Sequence, residues 1–288
     1  MVGVLTNHAI RTASLLFIGS RGDSPEPWRG HCRLTLLVVR VIDVDDPATW
    51  TTEVKGFVDD HAARLEGTTE YTSDLRITPE EEDEFRSLLA PNPLKVYHAT
   101  RLLEHELESI RIGGLVPLSA DLVRSRIETA AIKGYLTEAE RDDLLVNNLF
   151  DGGHEVSNRE DQVAFFLSAG VLDHAVWGIR HPLTTWGGEG IYFGTFADQT
   201  NARLKLMGRP TLIVAAIDLS SGGRHLVFPG TLRSFVGRVL GHEAYESDVL
   251  YRGRPIYEDE ILDIWQPGKP EYDRHSELPG DVPGALDT

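Results

Sequence analysis

The segment TLIVAAIDL, residues 211–219, predicts a buried β-strand because branched apolar side chains dominate it. Other short apolar segments predict further strands, at residues 33–44, 94–100, 162–168, 190–195, 225–229, 248–253 and 260–265. Helical patterns occupy residues 47–67, 78–90, 102–115, 119–133, 137–149 and about 197–207. These helices are clustered and do not alternate with the strands, so the sequence predicts an α+β fold.

Helix-capping residues mark several of these boundaries. Thr78 is the expected N-cap of its helix, with Pro79 at the first helical position, and Thr137 caps a later helix. Gly113 and Gly114 are expected to close the helix of residues 102–115. Because PNP at 91–93 ends the second helix, we predict an N-terminal strand and helix extension of unknown role over 1–90, a main domain over 91–268 and a polar tail over 269–288.

The composition disfavours some partners. A formal net charge of −17 repels phosphate backbones at long range. A local basic groove would have to be formed by the basic residues that lie close together in sequence, Arg101, Arg111, Arg124, Arg126 and Lys133. No apolar run approaches the roughly 18 residues of a membrane-spanning helix, so no membrane partner is expected. Cys32 is the single cysteine and forms no intramolecular disulfide, which favours a reducing compartment and a cytoplasmic location.

Common cofactor and metal motifs are absent from the sequence. It has no Walker loop, GxGxxG, CxxC or HExxH pattern. His242 and Glu246, in HEAYE, lie four apart, but a third zinc ligand cannot be identified, so no metal site is predicted.

Three segments carry candidate chemistry. VYHAT at 96–100 ends a strand with His98 and Thr100, WGGEGIYFGT at 186–195 places glycines before Tyr192, and YESDVLY at 245–251 begins a strand near Glu246. Taken singly, each has an ordinary structural interpretation: a histidine bonded to backbone, a core strand and a solvated glutamate.

Taken in order, the three segments resemble the ADP-ribosyltransferase superfamily in its histidine–tyrosine–glutamate branch. That branch includes poly(ADP-ribose) polymerases and diphtheria-type toxins and, more distantly, RNA 2′-phosphotransferases. Its members carry a YHGT-like strand, a GL step, a GxGIYF strand leading into a helix, and a glutamate-led strand. The resemblance covers about residues 94–266. It implies a split β-sandwich core with inserted helices, here with an N-terminal α/β extension.

The resemblance also implies site residues. His98 and the adjacent backbone of Ala99 would hold the adenine-side ribose and the nicotinamide amide of NAD+, and Thr100 would support His98. Tyr192 would stack on the nicotinamide ring, and Gly190 would allow the backbone just before it to lie close to the ligand.

Two acidic candidates compete for the last role. Glu246 would bind the ribose 2′-hydroxyl and stabilise positive charge on the sugar, and Glu243 is the second choice. Arg159, in the long insertion before GIYF, is a candidate for binding a phosphate.

The expected function is that of an NAD+-dependent mono-ADP-ribosyltransferase. NAD+ is its substrate, the nicotinamide–ribose bond is cleaved, and ADP-ribose passes to a macromolecule, with protein favoured over nucleic acid. A toxin or defence role would require an antitoxin or immunity protein as partner. Two alternatives stay open: an NAD+-dependent RNA 2′-phosphotransferase-like enzyme, in which Arg101, Arg111 and Arg159 would converge beside His98, and a non-catalytic interaction module.

Overall fold

The computed structural model describes residues 40–67, 76–151, 159–174, 180–192, 194–219, 224–227, 230–242 and 248–282. Contacts divide the chain into two compact units, Met1–Arg40 and Val41–Thr288. Apart from Arg40, the first unit lies outside the described residues, as do Cys32 and most of the strand predicted at 33–44. The described helices before residue 91 belong to the same unit as the sheet.

The described part of the chain is mixed α+β, as the sequence predicts. Its strands are β1 (Leu94–Leu102), β2 (Gln162–Phe166), β3 (Arg209–Ile217), β4 (Arg224–Val227), β5 (Asp248–Arg252) and β6 (Ile261–Trp265). Its helices are α1 (Thr52–Leu65), α2 (Pro79–Leu89), α3 (Glu104–Gly113), α4 (Ala120–Ile132), α5 (Glu138–Asn147), α6 (Arg180–Thr184), α7 (Glu189–Tyr192), α8 (Asp198–Leu206), α9 (Thr231–Leu240) and α10 (Pro270–Asp273).

The predicted caps are confirmed. Thr78 accepts a hydrogen bond from the backbone of Glu81, whose side chain accepts one from the backbone of Thr78, and Thr137 forms the same box with Glu140. Gly114 follows α3 at a φ of 80°, and a Cβ there would collide with the Ile256 carbonyl. The two capping boxes use partners three residues apart, whereas the end of α3 at Gly114 also involves a tertiary contact with Ile256.

One prediction of secondary structure is wrong. The segment predicted as a strand at 190–195 instead contains α7, Glu189–Tyr192. Its buried Ile191 joins a cluster of helical side chains, and Gly190 lies against Val123 and Leu118 around α4. The turn at Gly187 and Gly188 directs the chain onto the helices, because both glycines have positive φ, at 107° and 61°. Packing against α4 therefore decides the conformation of a segment too short to have a clear period.

The strands form a six-stranded antiparallel sheet in the order β4-β5-β2-β1-β3-β6. β1 pairs with β3 along its whole length, from Leu94↔Ile217 to Leu102↔Arg209. In contrast, β1 and β2 share one register position within the described strands, Tyr97↔Phe166. The sheet thus consists of two three-stranded halves, β4-β5-β2 and β1-β3-β6, that meet at one end and separate beyond Tyr97.

Helices cover the sheet and fix its position. On one face α1, α2 and α9 bury an aromatic group in which Phe235 lies 4.9 Å from Trp50 and 5.0 Å from Phe85, measured between ring centroids. The other face buries Tyr97 beside Phe166 and Trp265, with ring centroids 5.5 Å apart in both pairs. The predicted polar tail begins with α10, whose Tyr272 is buried in this second cluster.

Candidate functional site

A cavity of about 570 Å³ opens where β1 and β2 separate. Both strands line it, β1 through His98–Thr100 and β2 through Gln162–Phe166, and α3, α4 and the turn before α7 complete its wall. The volume lies within the range of small-molecule sites, roughly 300–1,000 Å³. Where the strands separate, backbone N–H and C=O groups lose the partners that a continuous sheet would give them. A ligand or a polar side chain can form hydrogen bonds with these groups instead.

His98 occupies the point of separation. Its Nδ1 lies 2.8 Å from the carbonyl oxygen of Ala164 in β2, and its ring meets that of Phe165 edge-on at 5.9 Å. A carbonyl oxygen only accepts hydrogen bonds, so Nδ1 carries the proton and donates it. In the neutral ring Nε2 is then an acceptor.

The surroundings keep this ring neutral. Burial lowers the pKa of His98; the hydrogen bond to Ala164 acts in the opposite direction, and the charge of Arg126 lowers the pKa further. The site therefore presents a hydrogen-bond acceptor on an uncharged imidazole, which suits a ligand hydroxyl.

Arg126, on α4, is held beside this histidine by a buried network. Its Nε donates to Oε1 of Glu106 at 2.6 Å, and its Nη1 donates to the carbonyl oxygen of Gly187 at 3.1 Å. The guanidinium carbon also lies 5.2 Å from the ring centroid of Trp186. Three contacts on one guanidinium fix its orientation within the cavity wall.

Glu106 is the centre of that network. Its Oε2 accepts from the indole nitrogen of Trp186 at 2.8 Å and from the backbone nitrogen of Leu103 at 2.9 Å. Burial raises the pKa of Glu106, but the charge and hydrogen bonds of Arg126, with those of Leu103 and Trp186, lower it more, so the carboxyl stays ionised. The acid thus ties α3, α4 and the turn before α7 into one wall.

The glycine turn of the second motif faces the first motif. Gly187, Gly188 and Glu189 line the cavity together with His98 and Thr100. A Cβ built on Gly188 would lie 3.9 Å from Oγ1 of Thr100, and one on Gly187 would collide with Ile191. The structure therefore brings two of the three predicted segments together at one cavity. The second segment contributes its glycine turn to the cavity wall, not the strand that the sequence predicts.

Arg159 also lines the cavity, and its assigned role in binding a phosphate stays a prediction. Its Nη1 donates to Glu189 at 2.9 Å, with 37% and 22% of the two side chains exposed. Together with Arg126 and Glu106, the described lining carries two arginines, each in an ion pair with a glutamate. The cavity wall is thus close to neutral although the chain as a whole carries −17.

The remaining predicted site residues have different outcomes. Thr100 is buried and Ala99 lines the cavity, whereas Gly190 is buried against Val123 and Leu118. Tyr192 is the last residue of α7, and its side chain lies outside the described part of the structure. The roles assigned to these residues stay predictions.

Both acidic candidates, Glu243 and Glu246, lie outside the described residues. The described chain resumes at Asp248 in β5, which pairs with Phe166, the same residue that pairs with Tyr97. The first residue of β5 therefore lies next to Phe166, at the junction where the cavity begins.

No family model, curated protein or solved structure matches this chain significantly. Across the described ranges, no helix is long and apolar enough to cross a membrane. The same ranges contain no group of three or more histidine, cysteine or acidic residues placed to hold a metal ion.

The arginines that would mark a 2′-phosphate site do not converge. Arg101 is buried and donates to the carbonyl oxygens of Met207 and Leu183, and Arg111 lies near Glu104 and Glu108 on the exposed side of α3. Neither lines the cavity, and of the three arginines named for this purpose Arg159 alone does.

Sequence reasoning missed Glu106 and Gln162. Glu106 occupies the third position of α3, where an acid is normally a local cap, and its partners Arg126 and Trp186 lie 20 and 80 residues away. Gln162 begins a strand without a motif around it. No sequence signal distinguishes either residue from an ordinary polar side chain.

Proposed function

We propose that the cavity binds NAD+ and that the protein is a mono-ADP-ribosyltransferase acting on a macromolecule. One observation supports this most: the strands carrying YHAT and QVAFF separate beyond Tyr97, and the cavity between them is lined by both the YHAT strand and the GGEG turn. Two motifs of the resemblance, far apart in sequence, thus belong to one ligand-sized space.

The split sheet supports the finer assignment of the fold. An ADP-ribosyltransferase-like split β-sandwich needs two strand groups that separate around the ligand. The halves β4-β5-β2 and β1-β3-β6, joined at Tyr97↔Phe166, are compatible with that arrangement. Helices α3, α4 and α5 lie between β1 and β2 in the chain and correspond to the inserted helices.

In this proposal His98 recognises a ribose hydroxyl. Nδ1 is committed to Ala164, so Nε2 of the neutral ring accepts from the hydroxyl. The walls formed by α3 and α4 exclude water around the sugar, which strengthens electrostatic interactions with it. Orientation of the nicotinamide is assigned to Tyr192 and the neighbouring backbone by the resemblance alone.

The acid of the reaction is assigned to Glu246. Cleavage of the nicotinamide–ribose bond places positive charge on the sugar, and a fixed carboxylate stabilises that charge. The first residue of β5, Asp248, pairs with Phe166 at the junction of the two half-sheets, and the acid assigned by the resemblance precedes it in the chain. The same carboxylate could deprotonate the acceptor.

A protein acceptor is favoured over nucleic acid. The net charge of −17 opposes association with a phosphate backbone, and Arg101 and Arg111 lie away from the cavity. The RNA 2′-phosphotransferase alternative therefore has less support. A toxin or defence role, with an antitoxin or immunity protein as partner, is part of the proposal only through the resemblance.

The test is release of free nicotinamide from NAD+. We expect His98→Asn to reduce release strongly, because the asparagine amide preserves a donor to Ala164 but lacks the Nε2 acceptor. His61→Asn is the matched control: His61 Nδ1 also lies 2.8 Å from a backbone carbonyl, that of Phe57, outside the cavity lining.

The acid is tested in the same assay. Glu246→Gln should abolish release and Glu243→Gln should not. Release that is insensitive to His98→Asn and Glu246→Gln would contradict the proposal, and no release with NAD+ alone or with added lysate or RNA would favour the non-catalytic module.

A further inference from the structure

Among the described residues that line the cavity, Gln162 and Arg126 each have a buried donor, Nε2 and Nη2 respectively, with no hydrogen-bond partner. Leaving a buried polar group without a partner is energetically unfavourable, so such groups usually mark a place where a ligand or water completes the structure. Two such donors in one cavity indicate a ligand that carries hydrogen-bond acceptor atoms on the side facing them.

Gln162 is fixed with its donor end unused. The side chain is buried, with 2% of the residue exposed. Its Oε1 accepts from Nε of Arg252 at 3.0 Å, across the register pair that joins β2 to β5. Since this bond commits the amide oxygen, the amide nitrogen is the end that has no partner.

Arg126 has more donors than its network uses. Nε is committed to Glu106 and Nη1 to the Gly187 carbonyl, which leaves the N–H groups of Nη2. Glu106 neutralises the formal charge, but its Oε2 is shared by Leu103 and Trp186. The N–H groups of Nη2 belong to a charged guanidinium, so they can donate charge-assisted hydrogen bonds to anionic oxygens such as those of a phosphate.

We propose that Arg126 and Gln162 bind phosphate oxygens of the ligand, so that the cavity selects nucleoside diphosphates over nucleosides. This rests on the proposed function and assigns the diphosphate of the dinucleotide to the wall formed by α4 and the start of β2. His98 takes a sugar hydroxyl, and the two donors take the oxygens beyond it. The neutral balance of the lining removes the repulsion that the chain's overall charge would impose on an anion.

The experiment measures binding of ADP, adenosine and inorganic pyrophosphate by isothermal titration calorimetry on the full chain. Arg126→Gln should weaken ADP binding by about tenfold or more, because a charge-assisted hydrogen bond is lost. Adenosine binding should not change. Arg124→Gln is the matched control on the same helix, since Arg124 is 60% exposed, lies 3.7 Å from Asp151 and does not line the cavity.

Gln162→Glu is the second variant. It preserves an acceptor for Arg252 and replaces the donor with an anionic oxygen, so ADP binding should again weaken while adenosine binding persists. Thermal unfolding of each variant shows whether it is folded. Pyrophosphate binding that depends on Arg126 would assign the site to free phosphates as well as nucleotides, and would also support the inference.

Some outcomes would overturn the inference and leave the proposed function intact. If ADP bound equally to wild type, Arg126→Gln and Gln162→Glu, or did not bind to the wild type, the two residues would not recognise phosphate. Nicotinamide release that depends on His98 would still support the transferase. Conversely, ADP binding that depends on Arg126 without nicotinamide release would support the inference and contradict the transferase.

Discussion

The imidazole of His98 and the carbonyl group of Ala164 are joined by a hydrogen bond of 2.8 Å at the place where β1 and β2 stop pairing. The side chain of one strand thus satisfies a backbone group of the other, where a continuous ladder would have used backbone alone. The bond has two consequences: it selects the Nδ1–H tautomer, and it keeps the two half-sheets in register beside the cavity.

The first prediction concerns pH. Burial, followed by the charge of Arg126, lowers the pKa of His98 below the ordinary value of 6.5. As the pH falls, His98 therefore becomes protonated at a higher pH in the unfolded chain than in the folded chain. The stability that the neutral ring contributes is fully present above pH 6.5 and is lost as the pH falls through the pKa of the folded state. Ligand binding through Nε2 should follow the same direction.

The measurement is thermal unfolding of wild type and His98→Asn between pH 8 and pH 5, with His61→Asn as the control. The advantage of wild type over His98→Asn should shrink on the acid side. An advantage that grows there would mean that the charged imidazole is the stable form, contrary to the geometry.

The second prediction concerns Glu106→Gln. Removing the carboxylate leaves Arg126 without its buried counter-charge and weakens the bonds to Trp186 and Leu103, so unfolding should become easier by about 3 kcal/mol. The pKa of Glu106 is lowered, because the opposing effect of burial is outweighed by Arg126 and the backbone. Its contribution is therefore present above its ordinary pKa of 4.5 and is lost as the pH falls below it.

Glu108→Gln is the control for this change. Glu108 lies on the same helix with 60% of its side chain exposed, near Arg111. Urea unfolding of both variants at neutral pH should separate them, because surface substitutions usually stay within about 0.5 kcal/mol. Equal effects would show that the buried network contributes nothing beyond an ordinary helix position.

Local signals in the sequence were sufficient for most of the described fold. Thr78 with Glu81 and Thr137 with Glu140 form capping boxes whose partners lie three residues apart, so they can be identified from the chain alone. The apolar run of β3 likewise predicts a buried strand from the chain alone, and the strand is buried over almost its whole length. These elements depend on neighbours in sequence.

Long-range contacts explain what could not be predicted. The strand predicted at 190–195 is replaced by α7, because Gly190 and Ile191 pack on helical side chains. Helix α9 was missed even though Leu232, Phe235 and Val236 have helical spacing, since Gly230 at its N-cap offers no side-chain cap. The first backbone N–H groups of α9 instead donate to the side chain of Glu82, which lies 148 residues before Gly230 in the chain.

The candidate site shows the same difference between local and long-range signals. His98 could be identified from its motif, but Glu106 and Gln162 could not.

The third prediction concerns this distant cap. Glu82 is buried and accepts hydrogen bonds from the backbone nitrogens of Gly230 at 2.9 Å and Leu232 at 3.2 Å. A carboxylate at a helix N-terminus also interacts favourably with the helix dipole. Glu82→Gln should therefore cost about 1–2 kcal/mol of stability, with lost protection of α9 in hydrogen exchange. Glu84→Gln, at an exposed position of α2, is the control. Unchanged exchange in α9 would rule out this role for Glu82.

The fourth prediction tests the packing of α7 by exchanging volume between two residues. A Cβ on Gly190 would lie within 3.0 Å of Cγ2 of Val123, so Gly190→Ala should destabilise the protein by about 1–3 kcal/mol. Val123→Ala alone leaves a cavity and also destabilises. The double variant fills the space left by the valine with the new methyl group, and its loss should be smaller than the sum of the single losses by about 1 kcal/mol.

Gly56→Ala is the control for the glycine substitution. Gly56 lies on an exposed position of α1 with no atom within 4 Å of an added Cβ, so alanine there should stabilise by roughly 0.5–1 kcal/mol. The four variants and the wild type are compared by chemical denaturation at neutral pH, and nicotinamide release is measured on each. Additive losses at positions 123 and 190 would mean that α7 does not pack on α4 as described. If release fell with Gly190→Ala and returned in the double variant, the position of α7 would also matter for the cavity.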